Sequence, residues 1–182
     1  KAQMRRVLLD YAGARAALGE VLAIDPNNIL ALGQRGDIEI AIGTTDAALA
    51  DFRSALAAAQ RSGDTINSGV CLERIGDVLR SRNDLDGALR HYEEGLEISR
   101  RLAQSDPTHA GRARDVAMGL LRIGVVHEAR GDTEAACRNY RQARSITIQL
   151  AERASDVHIL KTDLQWCDER IAATCGGVPA DA

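Results

Sequence analysis

Apolar residues recur along this chain at intervals of three and four positions, which is the spacing of one face of an α-helix. The segment VHILKTDLQWCDERIAAT shows the pattern well, since it places Leu160, Leu164, Cys167 and Ile171 on one stripe and leaves the opposite side charged. Short turn sequences separate such segments. The pattern therefore predicts an all-helical chain, with helices at about 1–8, 10–24, 28–42, 46–61, 65–82, 85–104, 109–130, 133–154 and 157–174.

The hydrophobic pattern is also repeated. Arg-Ile-Gly at 74–76 returns at 122–124, and Arg-Ile-Ala follows at 170–172, so that the period is 48 residues. A second signature pairs a small residue with a large one four positions later: Ala14 with Leu18, Ala48 with Phe52, Ala88 with Tyr92 and Ala136 with Tyr140. The small residues lie 34, 40 and 48 positions apart. Each unit is thus longer than the one before it.

These units resemble the tetratricopeptide repeat, whose pattern is W-x2-L-G-x2-Y, then A-x3-F, then proline. The first half of this pattern is matched well by Leu72, Ile75, Gly76 and Leu79. It is matched again by Leu120, Ile123, Gly124 and His127. The match by Leu32, Arg35, Gly36 and Glu39 is poor. The resemblance implies a right-handed α-solenoid of antiparallel helix pairs, closed by a C-terminal capping helix. It covers nearly the whole chain.

The residue types agree with that architecture. Gly76 and Gly124 lie inside predicted helices, where Gly costs about 0.5–1 kcal/mol relative to Ala. We expect them to permit close approach to the second helix of each pair, near Ala88 and Ala136. Turns are predicted where Gly43, Asn83 and Gly131 precede acidic residues that cap or charge-stabilise the next helix: Asp46, Asp84 and Asp132. An extra turn on each helix of a pair adds about 7 residues, which explains the growing period.

We expect one solenoid domain over 1–175, followed by a tail at 176–182. Its repeats are predicted at about 1–27, 28–62, 65–106 and 109–155, with the capping helix at 157–174. Residue 1 falls inside the first helix of a repeat. This favours a fragment of a longer protein, and the uncapped N-terminal end is a candidate surface for self-association.

Composition argues against several functions. Aromatic residues make up 3% of the chain and the net charge is −3, whereas nucleic-acid binders carry a basic surface. No run approaches the roughly 18 apolar residues of a membrane span. The cysteines show no Cys-x-x-Cys spacing, which is typical of a reduced, cytoplasmic protein with partly buried thiols: Cys71, Cys137, Cys167 and Cys175. Whether an export signal was removed stays open.

No catalytic, metal or cofactor site is expected. His91, Glu93 and Glu94 flank the packing residue Tyr92 on an exposed helix surface, which lacks the water-excluding pocket that catalysis needs. His91 and Glu94 could hold a metal only weakly. His127 lies on the buried side as a core histidine, and Trp166 packs against the preceding helix rather than anchoring a ligand. The chain is therefore not expected to be an enzyme.

A groove remains as the candidate site. In such solenoids the first helix of each repeat lines an inner surface that binds peptides or helices. The outward residues of those helices are Asp37, Ile40, Glu73, Asp77, Arg80, Leu121, Val125 and Glu128. Gly33 and Asp37 stand where the carboxylate clamp of chaperone-binding members has Lys and Asn, so that clamp is absent. Acidic positions favour a partner with basic and apolar residues, although the groove could equally be only solvated or covered.

The sequence thus predicts a protein-interaction module. The stretch ALRHYEEGLEISRRLAQSDP looks like long-repeat bacterial members of the family, which implies a regulatory or sensor part of a larger protein. Two alternatives stay open. The chain could be the non-catalytic accessory region of a multidomain enzyme such as a protease, kinase, cyclase or nucleotide hydrolase, or it could be a self-association module.

Overall fold

The structure is a computed structural model that describes residues 2–153 and 158–176, with side chains from Asp10 onward. Within these residues the chain is entirely helical. It forms eight α-helices: α1 (Ala2–Ile24), α2 (Ile29–Ala41), α3 (Thr45–Ser62), α4 (Thr65–Ser81), α5 (Leu85–Ser105), α6 (Ala110–Ala129), α7 (Thr133–Arg153) and α8 (His158–Thr174). The predicted helices from residue 28 onward are confirmed. Residue 1, the boundary at 155–157 and the tail from 177 lie outside the described residues.

Local sequence signals set the helix ends. The Asp84 carboxylate caps α5 by accepting a hydrogen bond from the Gly87 N–H at 2.9 Å. Asp132 accepts one from the Ala135 N–H at 3.0 Å at the start of α7. Asn83 has a φ of 61°, in the left-handed region of backbone conformation. Helices commonly end on a residue in this region, which is usually Gly and sometimes Asn. The predicted turns at Gly43, Asn83 and Gly131 are confirmed.

The predicted break at Leu9 is wrong. A single helix, α1, runs through this position, because the surrounding sequence VLLDYAGAR holds no Pro and its first Gly is Gly13. Ala14 is consequently exposed, since no separate first helix folds back over it. The pairing of Ala14 with Leu18 in the sequence pattern therefore does not form the buried contact seen in the later repeats.

The chain divides into two compact units, Lys1–Arg82 and Asn83–Ala182, called unit 1 and unit 2 below. In unit 1, α1 packs on α2, α2 on α3 and α3 on α4; in unit 2, α5 packs on α6, α6 on α7 and α7 on α8. Consecutive antiparallel packing of this kind confirms the all-helical repeat architecture. The right-handed sense and the single domain over 1–175 stay predictions.

Each unit has its own core. In unit 1 the buried residues Leu22, Leu32, Ala55 and Cys71 bring together all four helices. Unit 2 is organised around Tyr140, which is fully buried on α7. A Cβ added to Gly124 of α6 would collide with the Tyr140 ring, so this glycine permits the close approach that the sequence predicts. For Gly76, which is buried, the predicted contact stays a prediction.

The lengthening of the repeats is confirmed. Helices α2 and α3, which pack together in unit 1, have 13 and 18 residues, whereas α6 and α7 of unit 2 have 20 and 21. Two paired helices must grow together to keep their contact along the whole length. Asp25-Pro26 directly follows α1, whereas the equivalent positions of the later repeats lie inside α3, α5 and α7 and are Gln60, Arg100 and Ile148.

The expectation of four free thiols is wrong. Cys137 of α7 and Cys175, directly after α8, form a disulfide across 38 residues, with Cα atoms 5.7 Å apart. No Cys-x-x-Cys motif in the sequence indicates this pairing, because only the packing of α8 on α7 brings the two cysteines together. Cys71 and Cys167 are free and buried. In the described part of the chain, no helix is long and apolar enough to cross a membrane.

Candidate functional site

The residues predicted to line a groove occupy three helices. Asp37 and Ile40 of α2 and Arg80 of α4 are exposed, while Glu73 and Asp77 of α4 are partly buried and engaged in interactions. Asp37 forms an ion pair with Arg74 of α4, with Nη1 and Oδ1 3.2 Å apart and both side chains about half exposed. Within unit 1, α2 and α4 thus contact each other at the predicted position Asp37, through Arg74.

The predicted positions on α6 differ from those on α2 and α4. Leu121 is only 5% exposed and belongs to the core of unit 2, so it is not available to a ligand. Val125 is partly buried. Glu128 accepts a hydrogen bond from the Tyr140 hydroxyl at 2.6 Å and pairs with Arg170 of α8 at 3.3 Å. Its carboxylate is therefore part of the internal packing of unit 2.

The clearest concave feature beside the predicted residues is a cavity of about 140 Å³ in unit 1. It lies between α2 and α4, and Asp37 and Arg74 contribute to its wall. We call its lining, together with Ile66, the α2–α4 surface: Ile29, Leu30, Gly33, Gln34, Asp37, Phe52, Ile66, Asn67, Val70, Cys71 and Arg74. Its floor is apolar, since Phe52 and Cys71 are buried there.

Large apolar side chains surround this cavity at the surface. Leu30 is 70% exposed, and Ile66 and Val70, one turn apart on α4, are 58% and 48% exposed. Gly33 adds open space, because a Cβ at this position would meet nothing within 4 Å. Exposed apolar groups next to a concavity are typical of a surface that binds another protein. Leu30, Ile66 and Val70 were not among the predicted site residues, although each is an apolar residue on the otherwise polar side of its helix.

Burial raises the pKa of the Cys71 thiol at the floor of the cavity to about 11. The nearby Asp64 carboxylate acts in the same direction. At neutral pH the group is therefore a protonated thiol that packs as a small apolar side chain. It offers no nucleophile to a ligand in the cavity.

A second and larger cavity of about 570 Å³ lies on the opposite side of α2. The charged residues that line this cavity form ion pairs with one another. The Arg35 guanidinium donates two hydrogen bonds to the Asp51 carboxylate, at 2.6 and 2.7 Å, and Arg15 pairs with the buried Glu39 at 2.7 Å. Thr44 donates to the same Glu39 carboxylate. Because these groups are paired, the cluster is a structural feature of unit 1.

The other chemical candidates have structural roles. His91 places Nδ1 2.7 Å from the Gly87 carbonyl oxygen of its own helix. His127 lies 3.6 Å from the Asp132 carboxylate in the following turn. Trp166 packs edge-on against Tyr140 with ring centroids 5.8 Å apart, which confirms its predicted packing on the preceding helix. Among the described residues, no group of three or more His, Cys, Asp or Glu side chains could hold a metal ion.

These helix pairs, with their small-residue contacts and growing lengths, define an α-helical repeat protein. Two tetratricopeptide repeat family models match the chain, at residues 28–101 and 119–146, and together they span more than half of it. The chain belongs to the tetratricopeptide repeat family. Repeats of this family generally serve as scaffolds for protein–protein interaction and are typically non-catalytic.

Solved structures agree on the fold. A crystal structure of MamA is similar, with a TM-score of 0.60 at 17% identity, and covers 94% of this chain and 95% of its own. The crystal structure of BtubC (BKLC) from P. vanneervenii has a TM-score of 0.57 at 17% identity and covers 97% of this chain and 75% of its own. At such identities the likeness shows the fold alone. No curated protein matches the chain in sequence.

Proposed function

We propose that unit 1 binds a segment of a partner protein on the α2–α4 surface. The observation that carries the proposal is the exposure of Leu30, Ile66 and Val70 around a cavity with an apolar floor. Burying one such side chain under a partner contributes about 1.5–3 kcal/mol. An apolar side chain of the partner fits the cavity, whose volume is about 140 Å³.

The charges beside the cavity favour a basic segment. Asp37 and Arg74 line the cavity, and Glu73, Asp77 and Arg80 lie on the same helix as Arg74, so that three carboxylates stand against two guanidinium groups. A Lys or Arg of the partner can join the network at Asp37, which is about half exposed. We therefore propose a ligand in which an apolar residue is followed within a few positions by a basic one.

Peptide selection tests the proposal without knowledge of the natural partner. A random peptide library is selected on the immobilised protein, and the affinities of selected peptides are measured by fluorescence anisotropy. We expect apolar–basic sequences to be enriched. Val70→Glu and Leu30→Glu should each weaken their binding by about tenfold or more, since 1.4 kcal/mol corresponds to a factor of ten.

Ile159→Glu is the matched control, because Ile159 of α8 is 54% exposed, close to the exposure of Val70, but belongs to unit 2. Circular dichroism verifies that all variants remain helical. Selected peptides whose binding is unchanged by both unit 1 substitutions would refute the proposed site. Enrichment of acidic peptides would refute the proposed ligand chemistry.

We further propose that this module is the regulatory or sensor part of a larger protein, which the likeness of its long repeats to bacterial members of the family supports. We also propose that the protein works in an oxidising compartment rather than the cytoplasm, which the Cys137–Cys175 disulfide supports. Thiol labelling of the protein directly after extraction tests this: labelling at all four cysteines would favour the cytoplasm.

A further inference from the structure

Helix α8 buries little apolar surface for its length. Of its 17 residues only Leu160 and Cys167 are buried, whereas α6 and α7 bury eight and seven residues in helices of 20 and 21. Because apolar burial is the main source of packing stability, α8 is held less firmly by its core contacts than the helices before it.

The noncovalent contacts that fasten α8 are mostly polar and partly exposed. Asp163 accepts hydrogen bonds from Arg114 of α6, with Nε 2.7 Å away, and Arg170 pairs with Glu128. Asp168 pairs with Arg144 of α7, and these two side chains are 55% and 41% exposed. An ion pair of this exposure contributes little, whereas the Arg114–Asp163 pair is more shielded from water, since the Asp163 side chain is 13% exposed. Trp166 adds one edge-on contact with Tyr140.

The disulfide joins the end of α8 to α7. Cys137 lies in the second turn of α7 and is fully buried, and Cys175 follows the last residue of α8 and is 5% exposed. With this bond intact, the end of α8 cannot move away from α7. Without it, docking depends on the small buried area, the Arg114–Asp163 pair and the more exposed ion pairs.

We propose that the Cys137–Cys175 disulfide is a redox-sensitive cross-link that holds α8 on α7. Its reduction lets α8 dissociate from α7 while the rest of unit 2 stays folded. A dithiol supplies the reducing equivalents. One of its thiolates attacks a sulfur of the disulfide and forms a mixed disulfide, which releases the other cysteine as a thiolate that takes up a proton. The second thiol of the reductant then displaces the remaining cysteine. The products are two protein thiols and the oxidised, cyclic form of the reductant.

The consequence is a change in what unit 2 exposes. Tyr140 and Cys137 of α7 have no accessible surface. Trp166 of α8 contacts Tyr140, and Cys175, directly after α8, is bonded to Cys137. Departure of α8 uncovers this face of α7. Reduction thus opens a face of α7 that α8 covers in the oxidised protein.

Two buried free thiols provide the test. Cys167 lies on α8 in unit 2, and Cys71 lies on α4 in unit 1. Burial protects both thiols and raises the pKa of each to about 11. Once its helix opens, each becomes an ordinary thiol exposed to water. Alkylation by iodoacetamide, followed for each residue by peptide mass spectrometry, therefore reports how often each site opens.

The oxidised chain is compared with the Cys137→Ser/Cys175→Ser variant and with wild-type protein that was reduced by dithiothreitol and then freed of it. In the variant and in the reduced protein, we expect alkylation of Cys167 to be at least about tenfold faster than in the oxidised chain, because α8 then opens independently. The alkylation rate of Cys71 should change by less than about twofold. Equal rates at Cys167 with and without the disulfide would overturn the proposal. So would labelling of Cys137 and Cys175 in protein never exposed to reductant.

Hydrogen exchange separates release of α8 from loss of the whole unit. In Cys175→Ala, which leaves the buried Cys137 unchanged, amides of α8 should exchange faster while those of α6 and α7 keep their protection. Loss of protection in all three helices together would overturn the proposal, because the disulfide would then stabilise unit 2 as one body.

Discussion

The ring of Phe52 on α3 occupies the space where Gly36 of α2 would carry a side chain: a Cβ built on Gly36 lies 2.5 Å from Phe52 Cε1. Gly124 and Tyr140 have the same relationship in unit 2. An aromatic residue on the second helix thus packs directly on the backbone of the first. This contact explains why both helix pairs tolerate a glycine inside a helix.

Gly36→Ala should therefore destabilise unit 1 by about 1–3 kcal/mol, because the added methyl group forces Phe52 out of its position. Urea unfolding followed by circular dichroism measures the change. Gly33→Ala on the same helix is the control, because its Cβ has open space. It should be neutral or stabilise by up to about 1 kcal/mol through higher helix propensity. Similar losses for the two variants would contradict the role of the contact with Phe52.

The Arg35–Asp51 pair should matter more to stability than the exposed pair on the other side of α2. Asp51 is 7% exposed and accepts two hydrogen bonds from Arg35. Asp51→Asn should cost about 1–3 kcal/mol, because it leaves a partly buried guanidinium without its carboxylate. Asp37→Asn, which loses the half-exposed pair with Arg74, should cost less than about 1 kcal/mol. Unfolding free energies of equal size would show that burial does not distinguish the two pairs.

The thiol of Cys71 should make stability depend on pH in the alkaline range. Its pKa is raised from 9.0 to about 11 in the folded chain, so the folded state holds the proton more tightly than the unfolded state. This contribution to stability is fully present below pH 9 and is lost as the pH rises towards 11. Cys71→Ala removes it. The difference in unfolding free energy between wild type and variant should shrink from pH 8 to pH 11, and a constant difference would contradict the assignment.

His91 and Tyr92 should respond very differently to substitution, although they are neighbours. His91 contacts the Gly87 carbonyl of its own helix, whereas Tyr92 is 1% exposed. His91→Ala should change the unfolding free energy by less than about 0.5 kcal/mol, while Tyr92→Ala should cost about 3–5 kcal/mol. Thermal unfolding of both variants measures this. Comparable losses would contradict the assignment of Tyr92, rather than His91, to the core.

The site could be predicted only in part. Helical periodicity places Asp37, Glu73 and Asp77 on the first helices of their repeats, and in the structure these helices contact each other at Asp37, through Arg74. Periodicity does not give the angle at which neighbouring helices pack. It therefore did not separate Leu121, which is buried, from Ile40, which is exposed, and it did not find the cavity between Leu30 and Val70.

The sequence by itself determined the helices from residue 28 onward, the turns at Gly43, Asn83 and Gly131, the growing helix lengths and the repeat family. These features depend on interactions between residues that are close in the chain. Such interactions require a periodic pattern of residue types, which can be recognised in the sequence. Only the tertiary structure decided the disulfide between Cys137 and Cys175 and the pairing of Arg35 with Asp51. Each depends on which surfaces meet between helices, and residue spacing alone does not contain that information.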